Sequence, residues 1–499
     1  MNTKVNLCPN LVVQYLQKNP AEFRKEDIIR FIKENDIRMV NFMYPADDNR
    51  LKTLNFVINS EEYLDSILTF GERVDGSSLF PFIEAGNSDL YVVPRYASAF
   101  VDPFAEIPTL TMLGSFFDKD GNPLASSPEY TLRKACESFH KETGMEFYAM
   151  GELEYYVIAD DQQLFGATDQ KGYHESAPFA KFNDFRMECM ALIAQAGGQI
   201  KYGHNEVGNF TLEGKIFEQN EIEFLPVPAT LAADNLMVAK WIIRTLAMKK
   251  GYDVTFAPKI TAGKAGSGLH IHFKVMKDGR NMMTDNGHIS DVARKVIAGI
   301  LEYADAITAM GNKVPTSYLR LVPHQEAPTS ICWGDRNRSV LIRVPLGWTG
   351  EKDMCSQANP LEKPAEIVPD KQTVELRSAD GSADVYQLIA AMAVAAREGL
   401  LSDASLRRAE ELYVSVNIHQ DQNREKLESL KGLPDSCAAS AKALKAARGV
   451  FEKDGVFSPE MINGTIRKLE SYEDADLRKK IESREIDTLD LVKRYWHCG

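Results

Sequence analysis

The sequence predicts an α+β protein of two domains, a small mixed one followed by a large one in which strands and helices interleave. Three observations carry this. The chain has 499 residues, too many for one ordinary hydrophobic core. Its apolar residues recur at a period of two in some stretches and near 3.6 in others. A run dense in turn formers, "DKDGNPLASSPE" (118–129), interrupts both patterns and sets the expected domains at 1–120 and 121–499.

In order, "AEFRKEDIIRFIKEND" (21–36) places Ile28, Ile29, Phe31 and Ile32 at helical spacing. "RMVNFMYP" and "LKTLNFVI" alternate like strands. "SEEYLDSILTF" opens with a serine and acids, the signature of a capped helix. "SDLYVVP" and "PTLTMLGSFF" read as two more strands. Beyond the turn-rich run come an amphipathic helix ("YTLRKACESFHKET") and an aromatic-rich strand ("FYAMGELEYYVIA"). A helix ended by Gly197 and Gly198 follows, then the long helix "ATLAADNLMVAKWIIRTLAMKKG". The strand "GLHIHFKV" precedes one helix over "ISDVARKVIAGILEYADAITAMG". After Asp384 three further helices dominate, and "TLDLVKRYWHCG" is apolar enough to dock.

Composition narrows the function. The chain is 44% hydrophobic and 26% charged with a formal net charge of -13, a balance that argues against a nucleic-acid or anionic-membrane surface. Seven scattered cysteines without a CxxC pair read as reduced thiols of a cytoplasmic protein. The first residues lack a basic segment leading into a long apolar run, so no secretion signal is expected. "LIAAMAVAA" (388–396) is about half the length of a membrane span.

The chemistry lies in polar pairs. Side chains two apart on a strand share a face. Glu152 and Glu154 therefore pair, as do His270 and His272, Glu375 and Arg377, and Arg336 and Arg338, with Arg343 further along. "NEVGNFTLEGKIFEQNEIEF" adds Glu206 and Glu221. Each pair alone reads as a solvated strand face. Together, on strands flanked by apolar residues, they need compensation. Two like charges about 4 Å apart repel by roughly 4 kcal/mol at an effective dielectric near 20. Hard divalent cations take carboxylate oxygens, histidine ligands favour Mn2+ over Mg2+, and arginines beside such a cluster suit phosphate. These are the components of phosphoryl transfer. No GxxxxGK[ST] sequence and no HRD…DFG set is present, so ATP would be held by another architecture.

These stretches resemble the glutamine synthetases, the ATP-dependent ligases that join glutamate to an amine. Seven motifs carry the resemblance in consistent order: "VDGSSLFPFIEAGNSDLYVVP", "GELEYYV", "KGYHES", "NEVGNFTLEGKIFEQNEIEF", "GSGLHIHF", the paired "YLRLVPHQEAP" and "RNRSVLIRVP", and "VELRSAD". The resemblance implies a β-grasp-like N-terminal domain and a catalytic domain built as an antiparallel sheet funnel surrounded by helices. It implies Mg2+ (or Mn2+), two to three per site, with ATP as substrate. One metal would be held by Glu154, Glu206 and Glu221, the second by Glu152, His270 and Glu375. His272, Arg338 and Arg343 would face the nucleotide phosphates. Arg320 and Arg377 would hold the glutamate carboxylate and the transferred phosphate, and Gly266 and Gly268 would let backbone approach the substrate.

The implied reaction has two steps: ATP phosphorylates the side-chain carboxylate of glutamate, and an amine displaces phosphate. Glu326 would shield the intermediate from water, and Asp75 would deprotonate ammonium. Tyr173, Ser78, Glu206 and Glu326 would complete that cation's site. The "DGSS" loop would serve a neighbouring subunit in a homo-oligomer, a dodecamer of two rings with sites between subunits.

The match also departs. Ala265 stands where asparagine is usual in "NGSG", which weakens strict glutamate specificity. The segment between Glu206 and Glu221 is lengthened beside the amine site. Lys274 and Thr373 replace a small hydroxyl residue and an arginine on the nucleotide side. "EELYVSVNIHQ" (410–420) only partly echoes the adenylylation motif, so no adenylylation control is expected. The function expected is glutamine synthesis; the alternatives are a γ-glutamylamide synthetase using a polyamine, methylamine or aromatic amine, and a catalytically silent relative. A non-haem iron enzyme built on His-x-His leaves the arginines unexplained.

Overall fold

The computed structural model describes residues 7–83, 88–166, 168–261, 263–322, 327–347, 353–364 and 370–499. Its first sheet has six strands: β1 (Met39–Pro45), β2 (Leu51–Val57), β3 (Glu72–Asp75), β4 (Asp89–Pro94), β5 (Phe100–Val101) and β6 (Thr109–Phe117). They run in the order β2-β1-β6-β4-β3, with β5 beside β6, and β1 and β6 are parallel. The expected helices form over Lys25–Glu34 and Glu61–Phe70. Ser60 caps the second by accepting from the Tyr63 N–H, which satisfies one of the orphan donors of a helix start. Ile28, Phe31, Leu64 and Ile67 of these helices pack with Val40, Phe42, Leu110 and Met112 of the strands.

The second sheet carries ten strands. Its members are β7 (Glu146–Asp160), β8 (Ile200–Leu212), β9 (Lys215–Phe224), β10 (Val227–Pro228), β11 (Asp253–Thr255), β12 (Leu269–Lys277) and β13 (Arg280–Asn281). A separate two-stranded ribbon, β14 (Thr284–Asp285) with β15 (His288–Ile289), comes next. The sheet closes with β16 (Trp333–Asp335), β17 (Ile342–Val344) and β18 (Val374–Leu376). The main path is β16-β17-β18-β12-β7-β9-β8, so β7 and β12 lie near its centre. One face turns Leu153, Tyr155, Val157, Leu269, Ile271 and Phe273 into the main core, beneath helices including Ala229–Lys250. Period two then puts Glu152, Glu154, His270 and His272 on the other face.

The two sheets are joined by more than chain. Met43, Phe100 and Leu113 of the first belong to the core of the second. The Arg95 guanidinium makes a bidentate pair with Asp234 at 2.7 and 2.8 Å. The C-terminal segment docks as its composition predicts: Trp496 lies edge-on to Phe217, its Nε1 donates to Asp253, and Arg50 and Arg244 donate to the carbonyls of His497 and Cys498.

Two sequence expectations are corrected. The single helix over 289–311 is two helices, Asp291–Glu302 and Ala304–Gly311, because Tyr303 leaves helical geometry (φ −108°, ψ 14°). Arg336 and Arg338 do not share a strand face: β16 ends at Asp335 and Arg336 takes φ +53°, a left-handed conformation that breaks the alternation. The "LIAAMAVAA" stretch lies in the helix Val385–Leu401, almost wholly buried in the core. Among the described residues no helix is long and apolar enough to cross a membrane.

Candidate active site

Registry across the second sheet gathers the polar stripe. His270 stands opposite Glu152, Glu154 opposite Glu221, Glu152 opposite Glu223, and His272 opposite both Met150 and Glu375. The result is a cavity of about 1060 Å³. Its walls include Glu152, Glu154, Tyr173, Glu206, Glu221, Gly266, His270, His272, Arg320, Arg338, Arg343, Glu375 and Arg377. Three sets of donor atoms come within 4.8 Å of one another among the described residues: Glu152, His270 and Glu375; His204, Glu206 and Glu221; and Glu152, Glu223 and His272. Carboxylates with one imidazole in each set fit a divalent cation between Mg2+ and the borderline transition metals.

The structure thus brings together Glu152, His270 and Glu375, and also Glu206 and Glu221. It does not gather Glu154 into either set. One oxygen of Glu154 already accepts from Gln219 Nε2 and the Gly268 N–H, both at 2.8 Å, and the other lies 4.0 Å from His270. His204 and Glu223 were not singled out from the sequence. The same alternation that marked Glu152 and Glu154 would have found them, since each lies two residues from an acid on its own strand.

Charge in the cluster is balanced pairwise. His270 Nδ1 lies 3.0 Å from Glu152 Oε2, and His272 Nε2 lies 2.8 Å from Glu152 Oε1. Burial alone would raise the Glu152 carboxyl; the two histidines pull it well below its ordinary value. His272 moves the opposite way. Burial would lower it, yet Glu152 and Glu375 hold it above the usual imidazole value. Glu375 ends below its ordinary value despite burial and Glu152, through Arg377 and the histidines. Glu221 has no such relief: burial and its neighbours Glu152, Glu154 and Glu206 push it well up.

The arginines line the other side. Arg343 and Arg377 each donate to Glu375 at 3.0 Å, and Arg377 also donates to the Arg338 carbonyl. Arg320 donates to the carbonyls of Ser378 and Ala379 and, at 3.1 Å, to His270 Nε2. Close approach disfavours a side chain at two nearby positions, most firmly at Gly266, where the neighbour is backbone. A Cβ on Gly268 would come within 2.5 Å of Arg320 Nη2, and one on Gly266 within 2.2 Å of the Pro258 carbonyl. Thr373 hydrogen-bonds His272 Nδ1 at 2.9 Å, and Lys274 lines the cavity.

Tyr173 is 47% exposed at the mouth, its ring stacked on His174. Asp75 is the exposed last residue of β3, outside the lining of this chain's cavity. Its carboxylate accepts from the Ser77 N–H and from the hydroxyls of Ser77 and Ser78. The Ser78 hydroxyl leads the bonds that hold it far below its ordinary value. Glu326, expected to shield an intermediate, lies outside the described residues.

Comparisons with known proteins agree over nearly the whole chain. The family description "Glutamine synthetase, catalytic domain" matches residues 125–489, and "Glutamine synthetase, beta-Grasp domain" matches 36–119. A glutamine synthetase of Frankia alni is 28% identical over 475 residues, covering 88% of this chain and 93% of that one. One of Pyrococcus furiosus is 31% identical over 414 residues, covering 82% and 85%. Among solved structures, the Plasmodium falciparum glutamine synthetase superposes with a TM-score of 0.74 at 18% identity, covering 94% and 98%.

Proposed function

From the premise that this chain belongs to the glutamine synthetase family and is a ligase, we propose that it joins ammonia to the γ-carboxylate of glutamate at the expense of ATP. The products are glutamine, ADP and phosphate. The observation that carries the reading is the convergence in one cavity of Glu152, His270, Glu375, Glu206 and Glu221 with Arg320, Arg343 and Arg377.

Glu152, His270 and Glu375 would hold one divalent ion, and Glu206 and Glu221 would hold a second with Glu154 or His204. Bound there, such ions neutralise phosphate charge and polarise the transferred phosphoryl group. Arg338 and Arg343, with His272, orient the nucleotide phosphates. Arg320 and Arg377 hold the glutamate carboxylate and the phosphoryl group as it passes to the γ-carboxylate. The acyl phosphate so formed is a far better acceptor for an amine than a carboxylate is. Asp75, with Ser78, would be lent by a neighbouring subunit to take the amine's proton, Tyr173 and Glu206 would flank the cation, and Glu326 would exclude water. This arrangement goes with a homo-oligomer, a dodecamer of two rings, in the cytoplasm.

A second reading, a larger primary amine as acceptor, is favoured by one observation: Tyr173, Tyr202 and His204 form a wall of rings lining the cavity beside Glu206. Phosphate release from ATP with glutamate and either ammonia or a panel of methylamine, putrescine and aromatic amines tests both. Turnover with ammonia supports the first reading. Turnover only with a larger amine moves the assignment to the second, and none with any amine overturns both.

A further inference from the structure

We propose that His204 is a direct ligand of the cation held beside Glu206 and Glu221, and that it biases this position toward Mn2+, Co2+ or Zn2+ over Mg2+. The inference rests on the reading of the cavity as a divalent-metal site, and its test needs no turnover.

Four observations carry it. His204 Nδ1 lies 2.9 Å from the backbone carbonyl of Asn205. A carbonyl only accepts, so Nδ1 carries the proton and Nε2 presents its lone pair. That nitrogen lies 3.1 Å from Glu221 Oε1. At this separation a cation can sit between the imidazole nitrogen and the carboxylate oxygen and be bound by both. An N–H held by a backbone carbonyl is also the usual device that orients a metal-bound imidazole.

The contrast with His270 is informative. There Arg320 can only donate, so its N–H at 3.1 Å makes Nε2 the acceptor and leaves the proton on Nδ1, toward Glu152. His270 must give up that proton to bind a metal through Nδ1, whereas His204 already has the ligand tautomer.

The ring is held in place. His174 packs against it at 4.3 Å between centroids and Tyr173 meets it edge-on at 5.5 Å. Behind it, Arg186 donates to the side-chain oxygens of Asn205 and Asn220, tying β8 to β9. Finally, one oxygen of Glu154 is engaged by Gln219 and Gly268, and the set whose donor atoms close to within 4.8 Å beside Glu206 and Glu221 has an imidazole as its third member. Replacing an oxygen donor by imidazole favours borderline transition metals and disfavours Mg2+, which keeps to oxygen.

The test compares the full chain with His204→Gln by Mn2+ and Mg2+ titration calorimetry and by pulsed EPR of the Mn2+-loaded protein, which reads 14N coupling from coordinated imidazole. The expected result for His204→Gln is a loss of one 14N coupling and a fall of about tenfold or more in Mn2+ affinity at one position, with Mg2+ affinity changed less than about threefold. His204→Glu, which restores an oxygen donor, should raise Mg2+ affinity relative to Mn2+ and covers the case in which the glutamine variant misfolds. Unchanged 14N couplings in both variants, or equal loss for both metals, overturns the inference while leaving the divalent-metal reading in place. A wild-type chain that binds neither metal overturns both.

Discussion

In the six-stranded sheet, β1 and β6 turn Val40, Phe42, Leu110 and Met112 onto two helices. In the ten-stranded sheet, β7, β9, β12 and β18 turn Leu153, Ile222, Ile271 and Leu376 into the core in the same way, yet their opposite faces carry Glu152, Glu221, Glu223, His270 and Glu375. The first sheet is held by burial that is complete without any ligand. The second sets buried carboxylates against one another, and histidines and arginines relieve only some of them: Glu152 ends well below its ordinary value while Glu221 ends well above it. The difference teaches where fold and function compete. On the second sheet Glu221 is the acid whose charge costs stability in the metal-free chain, and a divalent cation bound there would offset that cost.

The largest effect should come from Glu152→Gln. Glu152 belongs to two of the three donor sets, and metal-centred charge stabilisation is worth several kcal/mol. ATP-dependent phosphate release should fall by about a thousandfold or more, while circular dichroism shows an unchanged fold. A variant with wild-type turnover would break the contrast between the sheets at its centre.

Leu110→Ala in the first sheet should do the reverse. The side chain is 0% exposed, so its removal should cost about 2–5 kcal/mol in denaturant unfolding, with Mn2+ affinity of the folded chain unaltered. Loss of metal affinity would show that the two sheets are not separable in this sense.

Glu221→Gln should have the smallest effect and the opposite sign: the metal-free chain should gain stability. Because burial and neighbouring carboxylates raise the folded Glu221 above its unfolded value, the folded chain holds its proton more tightly. Its charged form costs stability increasingly as pH rises above about 4.3. The gain from Glu221→Gln should therefore open with rising pH and close in acid, as read by thermal unfolding in EDTA. A pH-independent gain would remove the electrostatic explanation.

Much of this was legible because period two is a hard rule. Glu152 with Glu154 and His270 with His272 had to share a face on any strand, and apolar neighbours put those strands inside. What escaped depends on contacts between distant segments. Nothing local to Glu154 announces that Gln219 and Gly268 will occupy it. His204 and Glu223 obey the same alternation, each two residues from an acid on its own strand, but only the pairing of β8 and β7 with β9 shows that they join the stripe. The left-handed Arg336 and the break at Tyr303 are tertiary overrides of otherwise continuous periodicity. Asp75 is singled out through family resemblance alone: exposed at the end of β3 and outside the cavity lining of its own chain, it carries no local pattern that marks it.

The central claim, that acids from β7, β8, β9 and β18 and histidines from β8 and β12 converge on divalent cations, is tested most directly by counting Mn2+ bound per chain with EPR of the free ion. The account predicts two or more Mn2+ per wild-type chain and fewer in Glu152→Gln at the same free concentration. Wild-type protein that leaves all Mn2+ free at millimolar concentration would contradict it.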